Sequence, residues 1–122
     1  MDKKFYVVIE NGNEEFLLIK KDTNRPERIW EWSAFIGNFK DFDDTYGEAC
    51  KQLEYEMGIG KNKIITMNKI EKDVFLLKTN ARTDEMILIQ GEETTWVRKE
   101  NVLNYPLAEK TKEIFKRILY NK

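Results

Sequence analysis

Histidine is missing from all 122 residues. That removes the commonest general base and the commonest transition-metal ligand. A Ser-His-Asp or Cys-His catalytic unit is therefore excluded within one chain. Cysteine occurs once, at Cys50, so no internal disulfide can form, and a reducing, cytoplasmic setting is the expectation. One thiol without an imidazole makes a poor zinc site. A metal here would be a hard, oxygen-seeking cation such as Mg²⁺ or Mn²⁺. Charge of either sign is in small excess: 21 Lys and Arg stand against 22 Asp and Glu, a net of −1. No basic surplus points to nucleic acid or to an anionic membrane. The apolar run in MDKKFYVVIENGNEE is too short for a signal peptide or a membrane span. No repeat, low-complexity tract or linker interrupts the chain.

What is present reads as globular. Apolar residues make up 41% and charged residues 35%, which excludes a disordered composition. The length fits one domain, residues 1–122, large enough to bury a single core without staples.

Two β-branched and aromatic runs, KFYVVIE and EFLLIKK, flank Asn11-Gly12, a hairpin signal because Asn and Gly tolerate positive φ. After the polar loop TNRPER, the run IWEWSAFIGNF predicts a strand to about Gly37. From Thr45 to Met57 the period changes. Tyr46, Ala49, Cys50, Leu53 and Met57 recur at three- and four-residue steps and form one apolar stripe on a helix. Asp43 or Asp44 is placed to cap its start, and Gly58 to stop it. KIITMNKI, DVFLLKT and EMILIQG then read as strands, with TTWV as a short further one. Pro106 opens a second amphipathic helix, over about 107–120, with Leu107, Ala108, Thr111, Ile114, Phe115, Ile118 and Leu119 on its apolar stripe. Strands outnumber helices without alternating strictly with them, so the fold class is α+β: a mixed sheet covered by two helices.

On the first helix Glu48, Gln52 and Glu56 line up at steps of four, with Tyr55 beside them, facing away from the apolar stripe. The preceding loop, GNFKDFDD, adds three carboxylates. Such a face can hold a divalent ion against a phosphate, or it can simply be a solvated acidic surface.

The stretch GNFKDFDDTYGEACKQLEYEMGIG resembles a Nudix box. That box runs Gly, five residues, Glu, seven residues, then Arg-Glu-apolar-x-Glu-Glu-x-Gly-apolar. Here Gly37, Asp43 and KQLEYEMGI keep every spacing. Trp32 and Gly37 also match the Trp-x-x-Pro-Gly-Gly that precedes many boxes, and the order of predicted elements agrees over nearly the whole chain. The resemblance implies a Nudix α/β/α sandwich with the box helix at about 45–57. It implies a protein that uses Mg²⁺ or Mn²⁺ and water to hydrolyse a nucleoside diphosphate linked to another moiety. It places Gly37, Asp43, Glu48 and Glu56 about the metal, Glu56 and Gln52 at the catalytic positions, and leaves a homodimer open.

The departures from the pattern bear on the chemistry. The three helix glutamates have Gln52, Tyr55 and Glu56 as counterparts, so only Glu56 keeps its charge. A divalent cation cancels phosphate charge and acidifies the attacking water. An amide cannot act as a base, and a phenol is a poor ligand for a hard cation. Glu48 lies two turns from Glu56, about 12 Å along the axis, so one ion cannot touch both. Weakened metal binding and slower turnover follow, unless Asp84, Glu85, Glu92 or Glu93 supplies a further acid. Phe35 and Ile36 replace Pro-Gly before Gly37, which makes a tight turn there harder to form. Lys51 replaces Arg and loses its forked donor. Arg28, before the aromatic strand, can grip phosphate or be a loop-surface arginine, and Tyr55 can stack on a base. Trp30, Trp32, Phe35, Phe39, Phe42 and Tyr46 crowd the same region, mostly as core. Cys50 reads as a small buried hydrophobe.

Three functions remain open. One is a Nudix hydrolase with a reduced box. A second is a Nudix-fold protein that binds a nucleotide-type small molecule without cleaving it. The third is a protein-interaction module that docks through its aromatic box region.

Overall fold

Residues Lys3–Glu10 form strand β1, and its side chains divide cleanly between two cores. Phe5, Val7 and Ile9 enter one, while Tyr6 and Val8 enter the other. Strand β2, Glu15–Lys21, does the same with Leu17 and Ile19 on one side and Phe16 and Leu18 on the other. A strand covered on both faces needs apolar residues at successive positions, which explains the unbroken runs in the sequence.

In this computed structural model residues 3–21, 31–40, 44–81 and 92–120 are described, except for the side chains of Lys21 and Glu92. The elements that follow β2 are β3 (Phe35–Phe39), α1 (Thr45–Met57), a short 3-10 turn (Lys61–Lys63), β4 (Ile64–Glu71), β5 (Val74–Thr79), β6 (Glu92–Arg98), a second 3-10 turn (Lys99–Asn104) and α2 (Glu109–Tyr120). The six strands form one mixed sheet in the order β4-β5-β1-β2-β6, with β3 pairing β1 beside that path. β1 runs parallel to β5 and antiparallel to β2 and β3. α1 covers one face through Ala49, Leu53 and Met57, and α2 the other through Thr111, Ile114 and Phe115. This is the α+β arrangement expected from the sequence. Burying a Leu53 or an Ile114 contributes about 2 kcal/mol each, which fixes both helices to the sheet.

Local chemistry sets the element ends. Asn11 Oδ1 accepts from the backbone N–H groups of Asn13 and Glu15, at 2.9 and 3.2 Å, so the side chain shapes the hairpin. The positive φ expected at Asn11-Gly12 falls instead on Glu14, at 60°, because the loop spans four residues. Asp44 occupies the N-cap of α1 without a side-chain cap bond. Gly58 ends the helix in the left-handed region, at φ 70° and ψ 16°, as its position predicts.

Three expectations need correction. β3 starts at Phe35 and runs past Gly37 to Phe39, because it pairs residue by residue with Val7 back to Lys3. β6 is longer than TTWV, because it pairs with β2 along Glu15–Lys21. α2 begins at Glu109 and not at Pro106. The Trp32 N–H donates to the Pro106 carbonyl and the Ala108 N–H to that of Trp32, which holds residues 106–108 extended beside Trp32. The expected strand EMILIQG and the residue Trp30 lie outside the described residues.

Candidate functional site

β3 and the outer flank of α1 meet at Gly37, Asn38, Glu48 and Gln52. Gln52 is the centre of the junction. Its Oε1 accepts from the Asn38 N–H at 3.2 Å, its Nε2 donates to the Asn38 carbonyl at 2.6 Å, and the same Nε2 donates to Glu48 Oε1 at 3.0 Å. The orientation of the amide is fixed by its partners, because the opposite flip would set donor against donor and oxygen against oxygen. Glu48 and Gln52 meet because they lie one turn apart on the helix.

Gly37 permits this close fit. It is buried, and its φ is not in the left-handed region. A Cβ there would sit 2.1 Å from Phe5 Cζ and 2.6 Å from Gln52 Oε1. The glycine is a seat for a ring and an amide, and no tight turn is made at residues 35–39, so Ile36 needs no positive φ. Phe5 is itself fully buried, with ring centroids 6.3 Å from those of Phe35 and Phe39.

Glu56 lies one turn beyond Gln52 on the same flank, half-buried, and forms no hydrogen bond or ion pair with another described residue. The structure thus brings Gly37, Glu48 and Gln52 together, with Glu56 as the next step along the stripe. Tyr55 does not join them. It is 83% exposed and lines a cavity of about 740 Å³ on the other flank of α1, with Tyr46, Cys50, Lys51, Glu54 and Lys61. Arg28, Asp43, Asp84 and Glu85 lie outside the described residues, as does the side chain of Glu92. Glu93 pairs with Lys20 at 3.7 Å on the β2–β6 edge. Among the described residues no group of three or more His, Cys, Asp or Glu side chains is placed to hold a metal ion.

The aromatic residues near the box are divided. Phe35 and Phe39 are buried, and Trp32 packs on the second core with its ring edge-on to Tyr105. Tyr46 is half-exposed but anchored edge-on to Phe75 at 6.0 Å. Cys50 lies 4.0 Å from Met67 Sδ. Burial pushes its thiol pKa up, with Asp44 adding to that effect, while Lys61 and a hydrogen bond with Tyr46 oppose it. It packs against the first core as the stripe predicts, but is only half-buried and not the fully buried residue expected.

Sequence reasoning missed Phe5 and Asn38. Neither carries a motif signature. Phe5 is an ordinary strand residue by pattern, and Asn38 acts only through its backbone. The step of four from Glu48 to Gln52 was the one available signal for the junction.

No protein-family model matches the sequence, and no curated protein matches it. Solved structures do match the fold. A Nudix hydrolase from M. smegmatis, RenU, superposes with a TM-score of 0.75 at 12% identity, over 95% of this chain and 82% of that one. The C. elegans Ap4A hydrolase gives 0.69 at 18% identity, over 96% of each chain. A MutT protein from Methanosarcina mazei gives 0.67 at 21% identity, over 97% and 92%. The fold is the Nudix α/β/α sandwich.

Proposed function

We propose that this chain is a Nudix-fold protein that binds a nucleotide-type small molecule, a nucleoside diphosphate linked to another moiety, and cleaves it only weakly. It acts as one cytoplasmic domain, with the outer flank of α1 as its ligand face. The observation that carries this reading is the state of the three box positions. Gln52 is neutral and engaged on three sides, Tyr55 faces the other flank, and Glu56 alone offers a carboxylate.

The described donor set fits a divalent cation poorly. Mg²⁺ or Mn²⁺ calls for several oxygen ligands held together, and the carboxylates of Glu48 and Glu56 are too far apart along the helix to share one ion. Hydrolysis assisted by such a cation is correspondingly slow in this reading. Any residual turnover depends on Glu56, with Gln52 beside it and Asp43, Glu48 and the Gly37 backbone as outer helpers. Arg28 contributes contacts to phosphate, whereas Tyr55, on the other flank of α1, stays outside this face. Likeness to an Ap4A hydrolase and to MutT proteins supports a nucleotide-type ligand. The inward packing of Phe35 and Phe39 disfavours the aromatic box region as a protein-docking surface.

The test uses a panel of nucleoside di- and triphosphates, dinucleoside polyphosphates, nucleotide sugars and dinucleotide cofactors, with Mg²⁺ or Mn²⁺. Melting temperature and chromatographically resolved products are read together. The expected result is a ligand that stabilises the fold by about 2.7 kcal/mol at one hundred times its Kd. Turnover should fall well below the ~10 s⁻¹ typical of enzymes. Glu56→Gln should remove residual cleavage and leave the protein folded. Ordinary enzymatic turnover, or a panel without any stabilising ligand, would refute the proposal.

A further inference from the structure

We infer that the α2 side of the sheet carries a second binding site, for a small phosphate-type anion, on the face opposite α1. The site is a cavity of about 530 Å³ lined by Lys4 and Tyr6 of β1, Glu71 at the end of β4, Lys72 and Asp73 in the turn to β5, and Lys110 of α2. It is separate from the α1 face and goes beyond the function proposed for it.

The fold assembles this cavity from three distant parts of the chain. Phe5 enters the core under α1, so its neighbours Lys4 and Tyr6 lie on the α2 side. The Tyr6 N–H donates to the Asp73 carbonyl at 2.9 Å, which pins the β4–β5 turn beside β1. Asp73 reverses the chain at φ 59°, in the left-handed region that Asp and Asn visit more readily than most residues. Lys110 stands in the first turn of α2, where the helix dipole favours negative charge.

Charge makes the cavity an anion site. The chain as a whole has no basic surplus, with 21 Lys and Arg against 22 Asp and Glu. Lys20 and Lys99 are paired with Glu93 and Glu10. Lys4, Lys72 and Lys110 are exposed, and none forms an ion pair with another described residue. Of the two carboxylates at the rim, Glu71 is already neutralised, because Arg117 donates to both its oxygens, at 2.8 and 2.5 Å. Asp73 alone opposes the three ammonium groups, which leaves a net positive charge of two. Tyr6 is half-buried, and its hydroxyl has no hydrogen-bond partner among the described residues, so it adds a neutral donor. Compact ammonium groups on flexible stems suit the rounded oxygen surface of a phosphate. The volume lies in the range of small-molecule pockets, about 300–1,000 Å³. A nucleic acid would call for a broader basic surface than one cavity in a chain of balanced charge. The contacts are solvent-exposed, so half-saturation at about 1 mM is expected.

Backbone amide NMR during a titration with pyrophosphate tests this, in EDTA and at fixed ionic strength, so that no metal bridges the anion to the α1 face. Lys4, Tyr6, Lys72, Asp73 and Lys110 should shift together with one half-saturation point, while the amides of α1 stay in place. Lys4→Gln, Lys72→Gln and Lys110→Gln should each weaken binding about threefold, and the triple variant by at least about tenfold. Asp73→Asn, which keeps the left-handed turn and removes the opposing charge, should tighten binding about threefold. Lys61→Gln, on the other side of the sheet, should leave it unchanged. All these side chains are outside the core, so the variants remain folded. Ribose 5-phosphate, titrated in parallel, identifies the source of the anion. Tighter binding than pyrophosphate assigns a phosphate ester, weaker binding assigns a free inorganic anion, and either upholds the site. The inference is overturned if these amides do not move by about 10 mM pyrophosphate, if sodium chloride of equal ionic strength moves them equally, or if the triple lysine variant binds as tightly as the wild type. Because metal is absent throughout, failure here is separate from failure of the α1 face to bind a nucleotide.

Discussion

Adding one methyl group at position 37 should be among the most costly small changes in this protein. In Gly37→Ala the new Cβ would meet Phe5 Cζ at 2.1 Å, Phe5 Cε1 at 2.5 Å and Gln52 Oε1 at 2.6 Å. Ordinary contacts of this kind lie at about 3.5–4.0 Å, so the ring must retreat by more than an ångström. It has little room to do so. Phe5 is fully buried, and Phe35, Phe39 and Phe75 surround it with ring centroids 6.3 to 6.4 Å away. Overpacking of this kind costs about 1–3 kcal/mol, and a loosened Gln52 bond adds about 1 kcal/mol. The expected fall in Tm is on the order of 8–15 °C. Urea denaturation of a double-mutant cycle with Phe5→Leu isolates the cause. Shortening the ring costs on the order of 1–2 kcal/mol by itself but relieves the clash, so the methyl group should cost less in that background by at least about 1 kcal/mol. Gly12→Ala is the control, since nothing lies within 4 Å of a Cβ there, and it should change stability by no more than about 0.5 kcal/mol. Additive costs in the cycle, or a Gly37→Ala variant as stable as the wild type, would show that Gly37 is not a seat for Phe5.

Two further outcomes follow from charge and burial. Lys99 joins the buried Glu10 to the more exposed Glu14, at 3.2 Å from the latter, and lies over the Phe16 ring. Lys99→Met strands Glu10 in the core and should cost about 3 kcal/mol near neutral pH in a denaturant titration. Burial alone lowers the Lys99 pKa, but its hydrogen bonds with Glu10 and Glu14 outweigh that and raise it above 10.5. The stabilising contribution of a raised lysine is complete below its unfolded value and is lost as pH rises through the folded one. The Tm gap between wild type and Lys99→Met should therefore hold from pH 7 to 9 and shrink only above about pH 10.5; a gap that closes near neutrality refutes the assignment. Cys50, with its pKa pushed up by burial, should react with a thiol reagent at pH 7 more slowly than in the unfolded chain, and equal rates would mean an accessible thiolate.

Periodicity alone made both helices legible. The stripe from Tyr46 to Met57 predicted α1 to its end residues, and Gly58 stops it in the left-handed conformation that a glycine favours. The apolar runs of β1 and β2 likewise announced strands, and the structure shows that both are covered on two faces. These are local properties, carried by spacing within one turn or one pleat. The likeness of the box spacing led to the correct fold, since backbone layout depends on glycines and apolar positions that the sequence retains.

The site was less legible, because its contacts cross long stretches of chain. No spacing rule connects Gln52 to the Asn38 backbone fourteen residues away, or Phe5 to Gly37 across the β1–β3 pairing. The start of α2 moved for the same reason: the pattern of Leu107 and Ala108 suits a helix, but Trp32 holds them in an extended bridge. Tyr55 and Glu56 are adjacent in sequence, yet a helix turns about 100° per residue and sends them to different flanks. By itself, then, the sequence determined the periods, the stops and the charge lost from the box, all of which reside in single residues and their near neighbours. Only the tertiary structure decided that Gly37 accommodates a ring and that Gln52 ties a strand to a helix. Those roles are made by atoms brought together through folding, at distances that no local pattern encodes.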